Sequence, residues 1–431
     1  MPGAPARTIH ADLRLRAGGG LSGPVVDSTD HGLVVVHDLT PYVFAWEELE
    51  PDSAYETKGA LLALARGGKD RMTGEDYFRL GLFAYRHGLG DRAGNCFSRA
   101  TRLDATYRSR VNSAVAEWEL HEDGVVGLDA ATKAGPALAE NEPAIDPPRD
   151  GPATSLAPGP LVGRRGEVRQ AYDTFGAKVK EVMGKDVTLV ETDHFLIWTD
   201  WRRGRDRLGL WCEAMYAALC EQFGLSPADD IFLAKCPIYC WRSKARFQRF
   251  ARHFDGFEGS GAVGYTRSIA ENGHVHVVLL RQGNSPADLD RFACTLVHEG
   301  THAFLHRLHS SALIPHWVNE GYADLVAERV LGDRCPAGEN AALLARQIVR
   351  FDWPLGDLLS RTGPIKVHQY PIAHSVVSFL ERKNRGRFAG FIRALKEGQS
   401  IEAALDAHYG IPTVDRLETQ WRRSIRANDV P

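Results

Sequence analysis

Residues 136–160, PALAENEPAIDPPRDGPATSLAPGP, hold 7 of the chain's 22 prolines. Proline has no backbone N–H and a fixed φ, so a segment this rich in it neither continues a helix nor joins a sheet interior. The stretch reads as an extended linker. It divides the 431 residues into two separately cored parts. We set a first domain at residues 1–120, a Pro-rich linker at 121–160 and a second domain at 161–431.

The first domain opens with strand-like text. GLVVVHD (residues 32–38) and PYVFAWEEL (41–49) carry β-branched and aromatic residues around a polar break. Residues 73–105 then read as two helices around a turn at Gly88–Gly90. Thr73 suits an N-cap, with Asp76 three residues on. Tyr77, Leu80, Gly81 and Ala84, then Ala93, Phe97 and Ala100, recur at helical spacing. This stretch resembles a single tetratricopeptide repeat, with Tyr77 where the repeat has Trp and Ala105 where it closes on Pro. A lone repeat cannot bury both its faces, so it is either a packing hairpin or one unit of a partner-binding groove.

The second domain alternates. Residues 186–200 and 230–239 read as strands, 208–225 as an amphipathic helix and 243–254 as a basic helix. HVHVVLL (residues 274–280) alternates His and Val, as a half-exposed strand with a free edge would. From Ser285 on the text is almost all helical. A small mixed sheet followed by a helical lobe makes the class α+β.

Composition removes several functions. Lys and Arg number 52 against 55 Asp and Glu, a net charge of −3, so no basic face is available for nucleic acid. The basic run WRRGRDR (201–207) has no interleaved aromatic residues for base stacking and reads as a solvated loop. No window of 18 uninterrupted apolar residues exists, which excludes a membrane-spanning helix. The first twenty residues lack the apolar segment of a signal peptide. Location stays open: cytoplasmic by default, secreted if the chain is trimmed. Seven cysteines at irregular spacing form no disulfide framework, and Cys236 and Cys240, four apart, read as buried thiols.

The chemistry lies in residues 298–302, His-Glu-Gly-Thr-His. Ser285 and Pro286 suit the N-cap and first position of their helix, with Asp288 in its first turn. His298 and His302 are four apart and share one helical face, where two imidazoles can bind one zinc ion. Glu299 sits beside them, aimed at a water on the metal. A catalytic zinc needs a third protein ligand and an open position. Glu320, after 17 intervening residues, can supply that ligand. Asp324, one turn on, can accept the free N–H of a ligand histidine and fix its tautomer. His306 and His309 are rival third ligands, but the pattern that uses a third histidine wants Gly and His where Leu305 and Leu308 stand.

With HEGTH followed by Asn319-Glu320-Gly321 and Asp324, residues 165–430 resemble the gluzincin metallopeptidases, the group of thermolysin and aminopeptidase N. The nearer likeness is to bacterial peptidase-MA-like domains. The resemblance implies a zincin-like fold and one Zn2+ held by His298, His302 and Glu320. It implies Glu299 as general base and later general acid, and Asp324 behind a ligand histidine. In aminopeptidase-like members a tyrosine on a later helix stabilises the oxyanion. Tyr370 holds that place here, His374 is an alternative donor, and Tyr265 and His316 are more distant ones. The Gly-x-Met-Glu-Asn segment that binds a substrate's α-amine in aminopeptidases is missing, so the expected activity is endopeptidase-like, on a peptide or protein substrate. Residues 274–280 are the expected substrate shelf. Two other readings stand beside it: a partner-binding protein with an inactive zincin lobe, and a zinc hydrolase of non-peptide substrates.

Overall fold

The computed structural model describes residues 8–38, 40–121, 165–259, 261–269, 274–310 and 312–428. The Pro-rich linker lies outside them. The protein is α+β, with a four-stranded antiparallel sheet and a five-stranded mixed sheet. It divides into two compact units, Met1–Asn141 with Gly283–Arg291, and Glu142–Gln282 with Phe292–Pro431.

In the first unit, β1 (Ile9–Arg14), β2 (Gly20–Ser28), β3 (Gly32–His37) and β4 (Thr40–Ala45) form a meander in sequence order. Leu13, Val25, Leu33, Val35 and Trp46 make its core. Four helices follow: α1 (Pro51–Arg66), α2 (Gly74–Arg86), α3 (Gly90–Leu103) and α4 (Tyr107–His121). The expected hairpin is α2/α3, and Thr73 and Asp76 form its capping box. Gly81 makes room for the Phe97 ring, 2.5 Å from where a Cβ would stand. The hairpin's apolar residues pack with Tyr55 of α1 and with Tyr107 and Val111 of α4. α1 and α4 were not foreseen, and they supply the faces that a lone repeat lacks.

The same unit includes the residues that open α8 (Pro286–Arg307). Ser285 Oγ accepts from Asp288 N at 3.2 Å and Asp288 Oδ2 accepts from Ser285 N at 2.9 Å. Arg16 pairs with Asp288, and Arg86 with Asp290 at 3.0 Å.

The second unit begins with α5 (Arg165–Met183). Its sheet contains β5 (Thr188–Glu191), β6 (Phe195–Thr199), β7 (Cys236–Trp241), β8 (Gly264–Ile269) and β9 (His274–Leu280), in the order β5-β6-β7-β9-β8. The strand expected over 186–200 is thus a hairpin, β5/β6. That expected over 230–239 starts only at Cys236, after a tight turn in which Leu233 takes a φ of 65°. α6 (Asp206–Phe223) joins the parallel pair β6 and β7. α7 (Lys244–Phe250) follows Ser243, whose Oγ accepts from Arg246 N.

One expectation is overturned. β9 is neither half-exposed nor an edge. It pairs with β7 in parallel and with β8 antiparallel, and Val275, Val277, Val278 and Leu279 are fully buried. Strands flanked on both sides within a covered sheet read as apolar runs. The two histidines imitated a polar face, yet His276 is buried, His274 is partly buried, and both have partners within the protein. His276 Nε2 lies 3.1 Å from Asp255 Oδ2, which also accepts from Tyr265 Oη at 2.6 Å, and His274 lies edge-on to Tyr172. The edge strand on this side of the sheet is β8, whose text, GYTRSI, is too polar to read as a strand.

Alternation along β8 divides its side chains between the two faces of the sheet. Tyr265 packs with Phe247, Trp241 and Val278 on the side of α5 and α7. Gly264 and Thr266 turn to the other face, where a Cβ on Gly264 would stand 2.7 Å from Thr295 and 3.1 Å from Glu299 of α8. The helical lobe continues with α9 (His316–Leu331), α10 (Ala337–Arg350), α11 (Tyr370–Lys383), α12 (Arg385–Lys396), α13 (Ile401–Tyr409) and α14 (Val414–Asn428). No described helix is long and apolar enough to cross a membrane.

Gly321 sets the approach of α9 to α11. A Cβ there would lie 2.5 Å from the backbone C and O of Ala373 and 2.8 Å from His374 N. Backbone cannot yield as a side chain does. Alanine is worth about 1 kcal/mol more than glycine in an open helix, so any net loss must come from the clash. We expect Gly321→Ala to destabilise this unit by about 2–3 kcal/mol, seen as a lower urea midpoint. An unchanged or raised midpoint would show that the two helices separate freely.

Candidate metal centre

α8 carries His298 and His302 one turn apart on the same face, with ring centroids 4.6 Å apart and planes at 89°. α9 brings Glu320 against them. His298 Nε2 lies 3.0 Å from His302 Nε2, and Glu320 Oε2 lies 3.1 Å and 3.2 Å from these two atoms. Ligands about 2.0–2.1 Å from a tetrahedral cation sit about 3.3–3.4 Å from one another. The observed triangle is within a few tenths of an ångström of that spacing, so these residues could hold one metal ion.

The three atoms are within hydrogen-bond distance of one another, so either a proton on an imidazole nitrogen or a cation can bridge them. His298 Nδ1 lies 2.7 Å from Asp324 Oδ1. A proton donated there leaves Nε2 with its lone pair aimed into the triangle. A second imidazole nitrogen and a carboxylate oxygen face it, and three lone pairs at this distance repel unless a cation or a proton lies between them. Burial alone would push His298 down, but Asp324 and Glu320 beside it outweigh burial and hold it well above the usual histidine range. Glu320 is 1% exposed and cannot turn out to water. His302 Nδ1 has no hydrogen-bond partner among the described residues.

Glu299 points toward the edge strand. Thr266 Oγ1 lies 2.8 Å from Glu299 Oε2 and 2.7 Å from its carbonyl oxygen, and its one proton serves either. The carboxylate is thereby oriented while Oε1 has no described partner. His302 opens onto a cleft whose walls include Thr266 of β8, His306 of α8, Leu313 of the 308–315 loop, His316 of α9 and Lys396 of α12.

The structure brings together His298, His302, Glu320 and Asp324, with Glu299 next to them. His374 is elsewhere: its Nε2 lies 2.9 Å from Glu328 Oε2, eight residues beyond Glu320 on α9. Tyr370 stands half-buried in the first turn of α11. Tyr265 is committed to Asp255 on the opposite face of the sheet. His316, with Tyr265 one of the two more distant candidates, lines the cleft, with Nδ1 3.9 Å from Glu320 Oε1. Neither rival ligand joins the triangle, since His306 sits a turn further along the cleft wall and His309 pairs with Glu397 at 3.2 Å. Cys294 donates to Arg334 O, and Cys236 and Cys240 are buried in β7.

Sequence reasoning missed Thr266 and Lys396. Thr266 lies on a strand with no alternation to announce it. Lys396 ends a helix, where lysine ordinarily meets the C-terminal dipole and solvent. No protein-family model matches the chain, and no curated protein shows a significant match to it.

Lys396 is 3% exposed and donates from Nζ to Ala312 O at 2.6 Å. Burial, with Arg307 nearby, pushes it down from 10.5 to about 7. Between those values the unfolded chain carries more protons on this residue than the folded one, so stability rises with pH across pH 7–10.5. Below pH 7 both states are protonated and the full penalty stands. We expect the native protein to gain on the order of 3 kcal/mol from this residue across the window, and Lys396→Met to lose that gain. Denaturant titrations at pH 7 and pH 10 check this, and parallel pH dependences would refute it.

Proposed function

We propose that this protein is a zinc-dependent peptidase of gluzincin type, hydrolysing peptide bonds in an extended substrate. One observation carries the reading: the triangle of His298 Nε2, His302 Nε2 and Glu320 Oε2, backed by Asp324 and flanked by Glu299. Two imidazoles and one carboxylate are the donor set of a catalytic zinc site that keeps a position open. Zinc, when bound, polarises a carbonyl and acidifies water.

The remaining work falls to the chain. Asp324 fixes the tautomer and orientation of His298. Thr266 holds the Glu299 carboxylate so that Oε1 can take a proton from water and later return it to the leaving amine. An extended substrate would lie along the open edge of β8, beside Glu299, and bond through its main chain. His316, on the cleft wall, is the best-placed donor to a developing oxyanion, ahead of Tyr370 and His374. The α2/α3 hairpin spends its apolar surface on α1 and α4, which favours a packing role over partner binding.

Elemental analysis of the purified chain should find one zinc per molecule. Glu299→Gln should keep that zinc and lower kcat on a peptide library by about 10²–10⁴-fold; undiminished turnover would reject the general-base role. A chain that releases small amides or esters but no peptides would instead be a zinc hydrolase of another class.

Asp324→Ala should weaken zinc affinity about 10- to 100-fold, as read by competition with a chromophoric chelator. Unchanged affinity would mean that the 2.7 Å contact with His298 does not support the metal.

A further inference from the structure

We propose that Lys396 binds a free carboxylate of the substrate in the cleft beside His302, so that the preferred substrates carry such a group close to the bond that reacts. This deepens the peptidase reading and rests on it for the word substrate.

Buried ammonium groups are almost always paired with an anion, because removing the charge from water costs several kcal/mol. Lys396 is an exception. Its Nζ has one described partner, the neutral carbonyl oxygen of Ala312. An ammonium carries three donors, so two remain. Among the described residues no carboxylate lies within ion-pair distance of it, and the charge that acts on it is Arg307, of the same sign.

The cleft it lines is uniform in kind. Among the described residues its ionisable lining groups are His302, His306, His316 and Lys396, with no Asp or Glu. Thr266, Ser268 and Asn319 add donors, and Leu305, Leu313 and Ile314 supply apolar wall. Such a lining suits a short apolar segment ending in, or bearing, an anion. The missing counter-ion of Lys396 is then the ligand's own carboxylate. The lowered pKa of Lys396 agrees with this, since a bound anion would raise it.

A purely structural role has to be separated from this one. Lys396 also latches the loop between α8 and α9: Nζ holds Ala312 O, and Ser310 Oγ donates to Lys396 O at 2.6 Å. A latch would not tell an acid from an amide. Three probes settle it by calorimetry on the full chain, with a Glu299→Gln background stopping turnover: N-acetyl-Ala-Ala, its C-terminal amide, and N-acetyl-Ala-Glu amide. Each is titrated with zinc bound and after chelation.

The free acid should bind at least about tenfold more tightly than the amide in both metal states. Lys396→Gln, which keeps a donor for Ala312 O but no charge, should cut the preference below about twofold, and Lys396→Arg should retain most of it. Should Lys396→Gln fold poorly, Lys396→Met takes its place in the same comparison. Binding of the glutamyl amide as tight as that of the acid would make a side-chain carboxylate a ligand too, and weaker binding would restrict the site to C-termini. The proposal falls if the unsubstituted protein shows no preference, if the preference survives Lys396→Gln, or if it needs zinc, since the carboxylate would then sit on the metal. Absence of any peptide hydrolysis by the unsubstituted, zinc-loaded protein, with the preference intact, would overturn the peptidase reading alone.

Discussion

Three atoms held 3.0–3.2 Å apart repel one another unless a proton or a cation bridges them, and the helices of the second unit hold them at that distance. Helical geometry places His298 and His302 together without cost, because a separation of four residues repeats the same face. Glu320 comes from another helix and must be pressed in. Gly321 lets α9 lie against α11, and Trp317, Val318 and Tyr322 are fully buried around it. With 1% exposure, the carboxylate cannot relieve the repulsion by rotating into water. A proton or a cation is the remaining relief, and the neighbouring Asp324 favours either.

The elements that make the site were legible in proportion to how local their cause is. The α8 start is written in Ser285, Pro286 and Asp288, and the imidazole pair in its spacing. Asn319-Glu320-Gly321 is legible at two levels: the acid as a donor, and the glycine, once the helices are placed, as a packing necessity. β8 was not legible, since Gly264, Thr266, Arg267 and Ser268 give it no apolar period. Its place as an edge strand comes from pairing with β9 over six residues, a non-local fact. β9 misled in the opposite sense. Its histidines are satisfied inside the sheet by Asp255 and by each other, and alternation cannot distinguish a solvated polar side chain from a buried, partnered one.

The first unit repeats that lesson with helices. The spacing in residues 73–105 correctly called for two helices, and the capping box formed as read. What covers the hairpin could not be read from it. α1 and α4 carry weaker patterns, and their Tyr55, Tyr107 and Val111 meet the hairpin's apolar face only after the chain has turned back on itself. A repeat-like motif therefore constrained local structure and left its use undetermined.

How the protein treats its buried charges separates structure from function. Asp76 meets Arg66 at 2.9 Å, Asp200 meets Arg246 at 3.0 Å, Glu381 meets Arg329 at 2.7 Å, and Asp288 meets Arg16. Each of these pairs is complete within the chain, and a complete pair asks nothing of a ligand. The His298/His302/Glu320 triangle and Lys396 differ in kind from these pairs: the first could hold a metal ion, and the second donates from Nζ to a neutral carbonyl, Ala312 O. Both lie on one cleft, reached through His302 and bounded by the same loop. Perturbed titratable groups gathered on one cleft mark a candidate site, and here His298 of the triangle and the buried Lys396 are both strongly shifted, in opposite directions.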